Sequence, residues 1–590
     1  MSRKPARSNP SSDPSSDLVI IRRLLGYVRG ETGLLLIILG ALVVSSAGSA
    51  LGPTLIARAL DEHIVAGNRA GLTQTMLVLL AVYLVSNVAF AAQYRLMGHL
   101  AQRVLLKLRS SIFKHLQRLS LSFYHNNPAG DLMSRLVNDT DTIGTLFSQS
   151  LTQALGSVFS LFAILIAMFA LDWRLALATC AVLPIMIFLT FYFSRRSRQA
   201  YRRARKALGE LSAELEENLG MIRESQAFAR TAINVAHFET DNAENRDANV
   251  EAARITAAFS PTIDVLSTLA RVIVVGFGGY LAFNGAITVG VVVAFLSYSQ
   301  QFFRPVQMLA NLYTQLQATL AASERIFDLL DNEPEIQNKQ DAQALPSAQG
   351  HVVFQNVDFA YTDKPILKDF MLNVQAGETI AFVGETGAGK STAMNLIGRF
   401  YDVNAGHVLI DGIDVRDVTL VSLREQIAEV PQSSFLFNDS IANNIRYGQP
   451  DADLDAVMAA AKAARAHDFI EALPNGYASR LGSEGISVSQ GQRQLLCIAR
   501  AILADPRLLL LDEATANIDT RTEQLVQEAI DDLLDNRTAF VVAHRLSTIR
   551  HADQIVVIGE GGILEQGNHE ALMSQDGYYA NLINRQSFVS

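Results

Sequence analysis

Cysteine and charge are both scarce in this chain. Its 590 residues hold two cysteines, Cys180 and Cys497, far apart and each in an apolar context. Neither a disulfide framework nor a zinc site can be built from such a pair. Charged residues make up 18% and the formal net charge is -9. No overall basic surface is available to hold a nucleic acid, so partners of that class are not expected. The opening stretch, residues 1–17, is polar and rich in Ser and Pro, which reads as a disordered tail. The first apolar run comes too late and is too long for a cleavable leader. Apolar residues take the place of charge, at 49% of the total. That balance points to a membrane protein, and the length calls for several domains.

The apolar residues are concentrated in the first half. Leu18–Arg29 alternates Leu/Ile pairs with Arg22, Arg23 and Arg29, as an amphipathic helix on a membrane surface would. Gly33–Ala57, Gly71–Tyr94, Thr142–Leu171 and Leu175–Ser194 carry no charge. Each reaches the ~20 residues that a bilayer core demands. Val272–Phe303 is also uncharged but too long for one helix, and Asn284-Gly285 breaks it into a fifth and a sixth span. Two of the connections are basic and helix-forming. One carries Arg103, Lys107, Arg109, Lys114 and Arg118; the other carries Arg195, Arg196, Arg198, Arg202, Arg203, Arg205 and Lys206. Positive residues favour the cytoplasm, so the expectation is a multi-pass protein of the inner (cytoplasmic) membrane with both termini cytoplasmic. Both basic segments should extend the membrane helices into the cytoplasm and turn near Tyr124–Gly130 and Glu217–Met221. A short transverse helix at such a tip can dock on another domain. The domains read as 18–332 for the membrane part, 333–350 for a polar linker with Pro334 and Pro346, and 351–590 for the remainder.

One further charge stands out in the fifth span. Arg271 falls near mid-membrane, and Asp264 lies seven residues earlier on the same face, so a direct or water-bridged pair is expected.

The second half is organised around Gly384-Glu385-Thr386-Gly387-Ala388-Gly389-Lys390-Ser391-Thr392, which fits G-x-x-x-x-G-K-[ST]. An apolar strand precedes it and a helix follows. Glycines at 384, 387 and 389 let successive N–H groups turn towards phosphate oxygens, and the helix start adds positive potential. Lys390 suits the β- and γ-phosphates and the Ser391 hydroxyl suits Mg²⁺. ATP with Mg²⁺ is therefore the expected cofactor pair. Further along, the apolar run Leu508–Leu511 ends in Asp512-Glu513, as a buried parallel strand delivers acids at its carboxyl edge. Asp512 suits the metal's water shell, and Glu513 can polarise the attacking water. His544 follows another apolar strand and can reach the γ-phosphate. Gln432, after Val430-Pro431, is a metal or water ligand candidate. Tyr361 can stack on an adenine. Ser489, Gly491 and Gln492 form an anion-binding helix start.

The order of these pieces is itself specific. Tyr361, the phosphate loop, Gln432, the Ser489–Gln492 turn, Asp512-Glu513, Asp519 and His544 follow the order of an ATP-binding cassette. With six spans fused ahead of it, the whole chain resembles an ABC exporter half-transporter of the multidrug and lipid type. The resemblance implies an all-α six-span membrane domain followed by an α/β P-loop NTPase domain. It also implies a second half-transporter chain, with each ATP held between one phosphate loop and the partner's signature turn. Asp519 matches the D-loop aspartate. The chain departs from the family at Val488-Ser489-Gln490-Gly491-Gln492, where Gln490 replaces a glycine. Gly482–Gly485 is a reduced acidic-glycine stretch, and Ala516 stands where Ser is usual. Intact catalytic residues beside a substituted signature favour a heterodimer, with a homodimeric lipid flippase as the alternative. A nucleotide-gated channel ranks lower because Glu513 is kept. Amphipathic small molecules are favoured as cargo over metals or peptides, since there is no Cys/His cluster and no peptidase domain.

Overall fold

The computed structural model describes residues 14–482, 485–512, 519–542 and 546–586. Two compact units result, Met1–Gln117 with Ala129–Asn332 and Arg118–Pro128 with Glu333–Ser590.

The first unit is helical throughout. Among the described residues, five helical stretches are long and apolar enough to cross a membrane: Asp17–Ile64, Arg69–Leu116, Ala129–Leu171, Trp173–Gly220 and Thr231–Phe283. The helix Val289–Leu330 adds a shorter apolar stretch at Val289–Phe303. The amphipathic helix starts at Pro14, ahead of Leu18, and runs to Val28. Proline is well placed in a first helical turn, where its missing N–H has no partner to lose. The Leu175–Ser194 run is not one helix. It breaks after Cys180 and resumes at Leu183. Pro184 sits in the first turn of the resumed helix, where its missing N–H has no partner to lose. Asn284 and Gly285 close the hairpin as expected, with Gly285 at φ +68°.

Polar clamps fix the ends of these helices. Arg23 makes a two-pronged pair with Asp331, at 2.6 and 2.8 Å, and its guanidinium stacks 4.1 Å from the Phe327 ring. Arg325 grips Asp139 in the same forked geometry, at 2.5 and 2.9 Å, the arrangement for which arginine is best suited. Asp61 accepts from the Thr288 hydroxyl and, at 2.8 Å, from the Gly290 N–H. A side chain at Gly290 would meet the Ala57 carbonyl at 2.4 Å, so glycine alone permits this approach. No direct Arg271–Asp264 ion pair is made. Arg271 donates instead to the Thr268 hydroxyl at 3.0 Å and the Ser267 carbonyl at 3.4 Å. The side chain leans towards the helix N-terminus, but its reach ends one turn down rather than two.

The second unit contains two sheets. β1 Val352–Phe359, β2 Leu367–Val374, β4 Ala405–Ile410 and β5 Ile413–Asp414 form an antiparallel sheet in the order β2-β1-β4-β5. The larger sheet has the order β10-β9-β3-β8-β7-β6, built from β3 Thr379–Val383, β6 Ile427–Val430, β7 Leu508–Asp512, β8 Thr538–Val542, β9 Gln554–Gly559 and β10 Gly562–Gly567. Its five strands β9, β3, β8, β7 and β6 run parallel, with β10 antiparallel at one edge. β7 and β8 are apolar and almost wholly buried, as strands covered on both faces must be. Segment 118–128 belongs to this unit and carries the short helix Leu121–Asn126. Ser122 donates to Glu335 and His125 meets Tyr401.

Candidate nucleotide-binding site

The parallel sheet gathers the candidate residues along one edge. In register, Phe382 of β3 faces Val542 of β8, Val542 faces Asp512 of β7, and Val430 of β6 faces Leu511. Four neighbouring strands therefore end together, with Asp512 at that edge and the phosphate loop and the loop bearing Gln432 leaving from it. Carboxyl ends of parallel strands are where such folds bind ligands. Glu513 and His544 themselves lie outside the described residues, as do Ser483, Glu484 and Ala516.

The phosphate loop has the backbone its glycines imply. Gly384, Gly387 and Gly389 all take positive φ, at 152°, 86° and 113°. A Cβ at Gly384 would sit 2.2 Å from the Ile558 carbonyl, and one at Gly389 would sit 2.8 Å from Leu367. The helix Lys390–Ile397 starts directly after Gly389. Ser391 falls in its first turn, where the unpaired N–H groups of a helix cluster. Lys390 is only 7% exposed, and its ammonium donates to the carbonyls of Gly384 at 2.7 Å and Glu385 at 2.9 Å. Burial lowers its pKa, and the Asp512 carboxylate acts in the opposite direction. A buried cation, a glycine cradle and a nearby carboxylate fit a triphosphate with its divalent cation.

Tyr361 lies just beyond the end of β1. Its ring packs edge-on against Phe359 and Tyr401, each at 4.9 Å, and its hydroxyl is 3.2 Å from that of Thr392. Tyr361 is 44% exposed, beside the phosphate-loop helix that carries Thr392. Gln432 is exposed in the loop after β6.

The Ser489 turn is a capping box. The Ser489 hydroxyl accepts from the Gln492 N–H at 3.2 Å, and the Gln492 side chain accepts from the Ser489 N–H at 2.9 Å. Both groups thus spend these bonds on starting the helix Gln490–Ala504. Gly491 is buried in its first turn, while Gln490 is exposed. Asp519 caps the helix Thr520–Leu534 by accepting from the Thr522 N–H at 3.0 Å. That bond pulls its carboxyl pKa down.

Two residues escaped sequence reading. Glu429 stands on β6, and its carboxyl pKa is raised by desolvation and by the Asp512 carboxylate. Its place in a strand ending one residue before Pro431 was the available signal. Tyr401 had none, because its contacts with Tyr361 and His125 are made at long range.

A P-loop nucleotide-binding unit follows a membrane-spanning helical unit in a single chain, and this defines a membrane transporter powered by nucleotide. Residues 35–306 match the ABC transporter transmembrane region, and residues 367–516 match the ABC transporter nucleotide-binding family. Over 563 residues the chain is 37% identical to the ATP-dependent lipid A-core flippase of Syntrophus aciditrophicus (strain SB), covering 95% of this chain and 94% of that one. It is 38% identical over 511 residues to a fatty acid ABC transporter ATP-binding/permease protein of Mycobacterium tuberculosis (strain CDC 1551 / Oshkosh), covering 86% and 81%. A putative multidrug export ATP-binding/permease protein of Bacillus subtilis (strain 168), YgaD, is 38% identical over 544 residues, covering 91% and 94%. The chain belongs to the ABC transporters, in the half-transporter arrangement of one membrane region fused to one nucleotide-binding region. It is an ATP-hydrolysing membrane transporter.

Proposed function

We propose that this chain is one half of a dimeric exporter that moves amphipathic small molecules, lipids or drugs, by alternating access. One observation carries the reading: fused membrane and nucleotide-binding regions align nearly end to end with relatives named for lipid A, fatty acid and multidrug transport. In this reading both termini are cytoplasmic, supported by basic residues on the two long inter-span segments. Lys390 and the loop N–H groups hold the β- and γ-phosphates, Ser391 and Asp512 hold Mg²⁺, and Tyr361 offers its ring to adenine. Gln432 joins the metal or water shell. Mg²⁺, when bound, neutralises charge on the transferring phosphoryl group. Glu513 polarises the attacking water and His544 donates to the γ-phosphate. Reconstitution in proteoliposomes tests the whole: amphiphiles should stimulate ATP hydrolysis and be moved across the bilayer. Hydrolysis indifferent to every lipid and drug tried would remove the export reading.

The second half is proposed to be a different chain. Gln490 supports this, because it occupies the first helical residue of the signature turn, where the family has glycine. The partner then supplies an intact signature to this chain's phosphate loop, and this chain's Ser489, Gly491 and Gln492 face the partner's nucleotide.

A further inference from the structure

The phosphate-loop helix Lys390–Ile397 rises about 12 Å from Lys390 to its far end. It stops in a Schellman turn. The Arg399 N–H donates to the Leu396 carbonyl at 3.2 Å, and the Phe400 N–H to the Asn395 carbonyl at 2.9 Å. Such a turn needs one left-handed residue, ordinarily glycine, and here that residue is Arg399 at φ +46°. Arg399 is also 2% exposed. A long cation therefore stands where backbone and burial both disfavour one.

The Arg399 guanidinium has three partners. It donates to the Asp402 carboxylate at 2.9 Å, the Val418 carbonyl at 3.4 Å and the Gln337 carbonyl at 3.1 Å. Arg424 serves the same helix end, donating to the carbonyls of Gly398 at 3.4 Å and Arg399 at 3.2 Å. Closing the helix would need glycine at position 399, and its last carbonyls are already met by Arg424. The bond to Gln337 does neither job.

Gln337 belongs to the linker that follows the helix Val289–Leu330 along the chain. Its amide donates to the Pro334 carbonyl at 3.0 Å, closing residues 334–337 into one turn. Glu335 lies inside that turn. It accepts from the Ser122 hydroxyl and, at 3.4 Å, from the Ser120 hydroxyl at the start of the helix Leu121–Asn126. Just downstream, Asn338 accepts from the Leu420 N–H at 2.9 Å and Lys339 pairs with Asp417. Consecutive bonds through Glu335, Gln337 and Arg399 thus join the short helix, the linker turn and the far end of the phosphate-loop helix.

We propose that Arg399 is a positioning residue for ATP hydrolysis, tying the phosphate-loop helix to the linker through the Gln337 carbonyl, with Glu335 extending that tie to the helix Leu121–Asn126. A two-turn helix moves as one piece, so a shift at Arg399 is felt at Lys390 and Ser391. Attraction between charges tolerates such a shift, whereas alignment of reacting atoms does not: a misplacement of about 1 Å can cost ~10²-fold in rate. The proposal rests on the phosphate-binding role read for Lys390.

The test uses the full-length chain with its functional partner in nanodiscs, with phosphate release measured across ATP concentrations. Arg399→Gly suits the left-handed backbone and removes the side chain. It should lower kcat about tenfold while KM stays within about threefold. Glu335 is exposed, and Glu335→Ala should lower kcat about threefold. Glu335→Gln keeps an acceptor and should recover most of that loss. In the Arg399→Gly background Glu335→Ala should add nothing, because the tie is already cut; two independent structural effects would instead multiply. Multiplying losses overturn the proposal. So does an Arg399→Gly variant that changes thermal stability or KM while kcat stays within twofold of wild type. Lys390→Ala, run alongside for nucleotide binding, separates the two readings. Loss of binding there with normal turnover in Arg399→Gly rejects the tie alone, whereas unchanged binding rejects the phosphate-loop role and the tie with it.

Discussion

Tyr401 places its hydroxyl 3.1 Å from Nδ1 of His125 while its ring packs edge-on against Tyr361 at 4.9 Å. One side chain therefore touches both the proposed adenine-stacking ring and the short helix Leu121–Asn126. Displacement of Tyr361 by a nucleotide base would be felt at His125 through a single rigid ring. Tyr401→Phe keeps the ring and removes the hydroxyl, a bond worth ~1 kcal/mol or about fivefold in an equilibrium. Nucleotide affinity should stay near wild type while stimulation of hydrolysis by transported compounds falls by about that factor. Unchanged stimulation in Tyr401→Phe would deny the contact any part in coupling.

Lys390 and Glu513 should separate binding from turnover. Lys390→Ala removes a buried cation facing the phosphates and should weaken nucleotide binding itself. Glu513→Gln should leave binding intact and cut hydrolysis by ~10²-fold or more, as loss of a group acting on the attacking water does. Both are measured with the functional partner present, by nucleotide binding and phosphate release. Near-normal turnover in the Glu513 variant would take it out of that role.

How far these features were legible in the sequence depends on range. The phosphate loop was readable because nine contiguous residues encode its strained backbone, down to positive φ at three glycines. Membrane spans were readable from uncharged runs, but the break before Leu183 was not, since Pro53, Pro261 and Pro305 are carried inside helices. The family also followed from the order of the motifs. By contrast, Tyr401 meets Tyr361 only because β1 and the segment before β4 are brought together by the antiparallel sheet. Glu429 comes within the influence of the Asp512 carboxylate only because β6 pairs with β7. Pairing between distant strands leaves no local pattern, so neither contact could be read. The direct Arg271–Asp264 contact is missing for a finer reason: a shared helix face does not specify which rotamer a long side chain takes.

Gln490 gives the heterodimer proposal its test. Expressed alone, the chain should hydrolyse ATP weakly, and Gln490→Gly should raise that activity by restoring close backbone approach at the signature turn. A rise of about tenfold or more corresponds to recovering ~1.4 kcal/mol at the shared site. A homodimer of the unmodified chain with full, amphiphile-stimulated hydrolysis would rule the heterodimer out.

Acid should act on the small sheet through Asp414. This carboxylate is 8% exposed. Burial pushes its pKa up, but hydrogen bonds from Arg416 and His407 outweigh that and hold it at about 2. Arg416 reaches it at 2.7 and 3.0 Å. Because the folded-state value is depressed, its stabilisation is complete above the ordinary carboxylate range and lost as pH falls towards 2. Asp414→Asn should therefore cost on the order of 2 kcal/mol at neutral pH. The cost should shrink between about pH 4 and pH 2. Denaturant unfolding of the full chain at several pH values reads this, and a cost independent of pH would show that charge is not the cause.

Arg271 offers the sharpest question about cargo. The helix Thr231–Phe283 ends at the Asn284-Gly285 hairpin, and counting back ~1.5 Å per residue puts Arg271 roughly 18 Å from that end. A charge at such depth costs at least ~2.5 kcal/mol on insertion scales and ordinarily faces a wet path or a partner. The partner proposed from spacing, Asp264, is not engaged; the guanidinium rests on Thr268 and Ser267 of its own helix. Such bonds satisfy hydrogen-bonding donors but leave the positive charge uncompensated by a carboxylate. It should therefore repel cationic cargo. Arg271→Ala is expected to narrow the difference between anionic and cationic compounds in transport assays, with basal hydrolysis retained. Arg271→Lys, which keeps the charge but not the fork, should preserve the ranking. If Arg271→Ala lowers only the yield of folded protein and leaves the ranking of compounds unchanged, the side chain serves packing, and selection by charge must reside elsewhere.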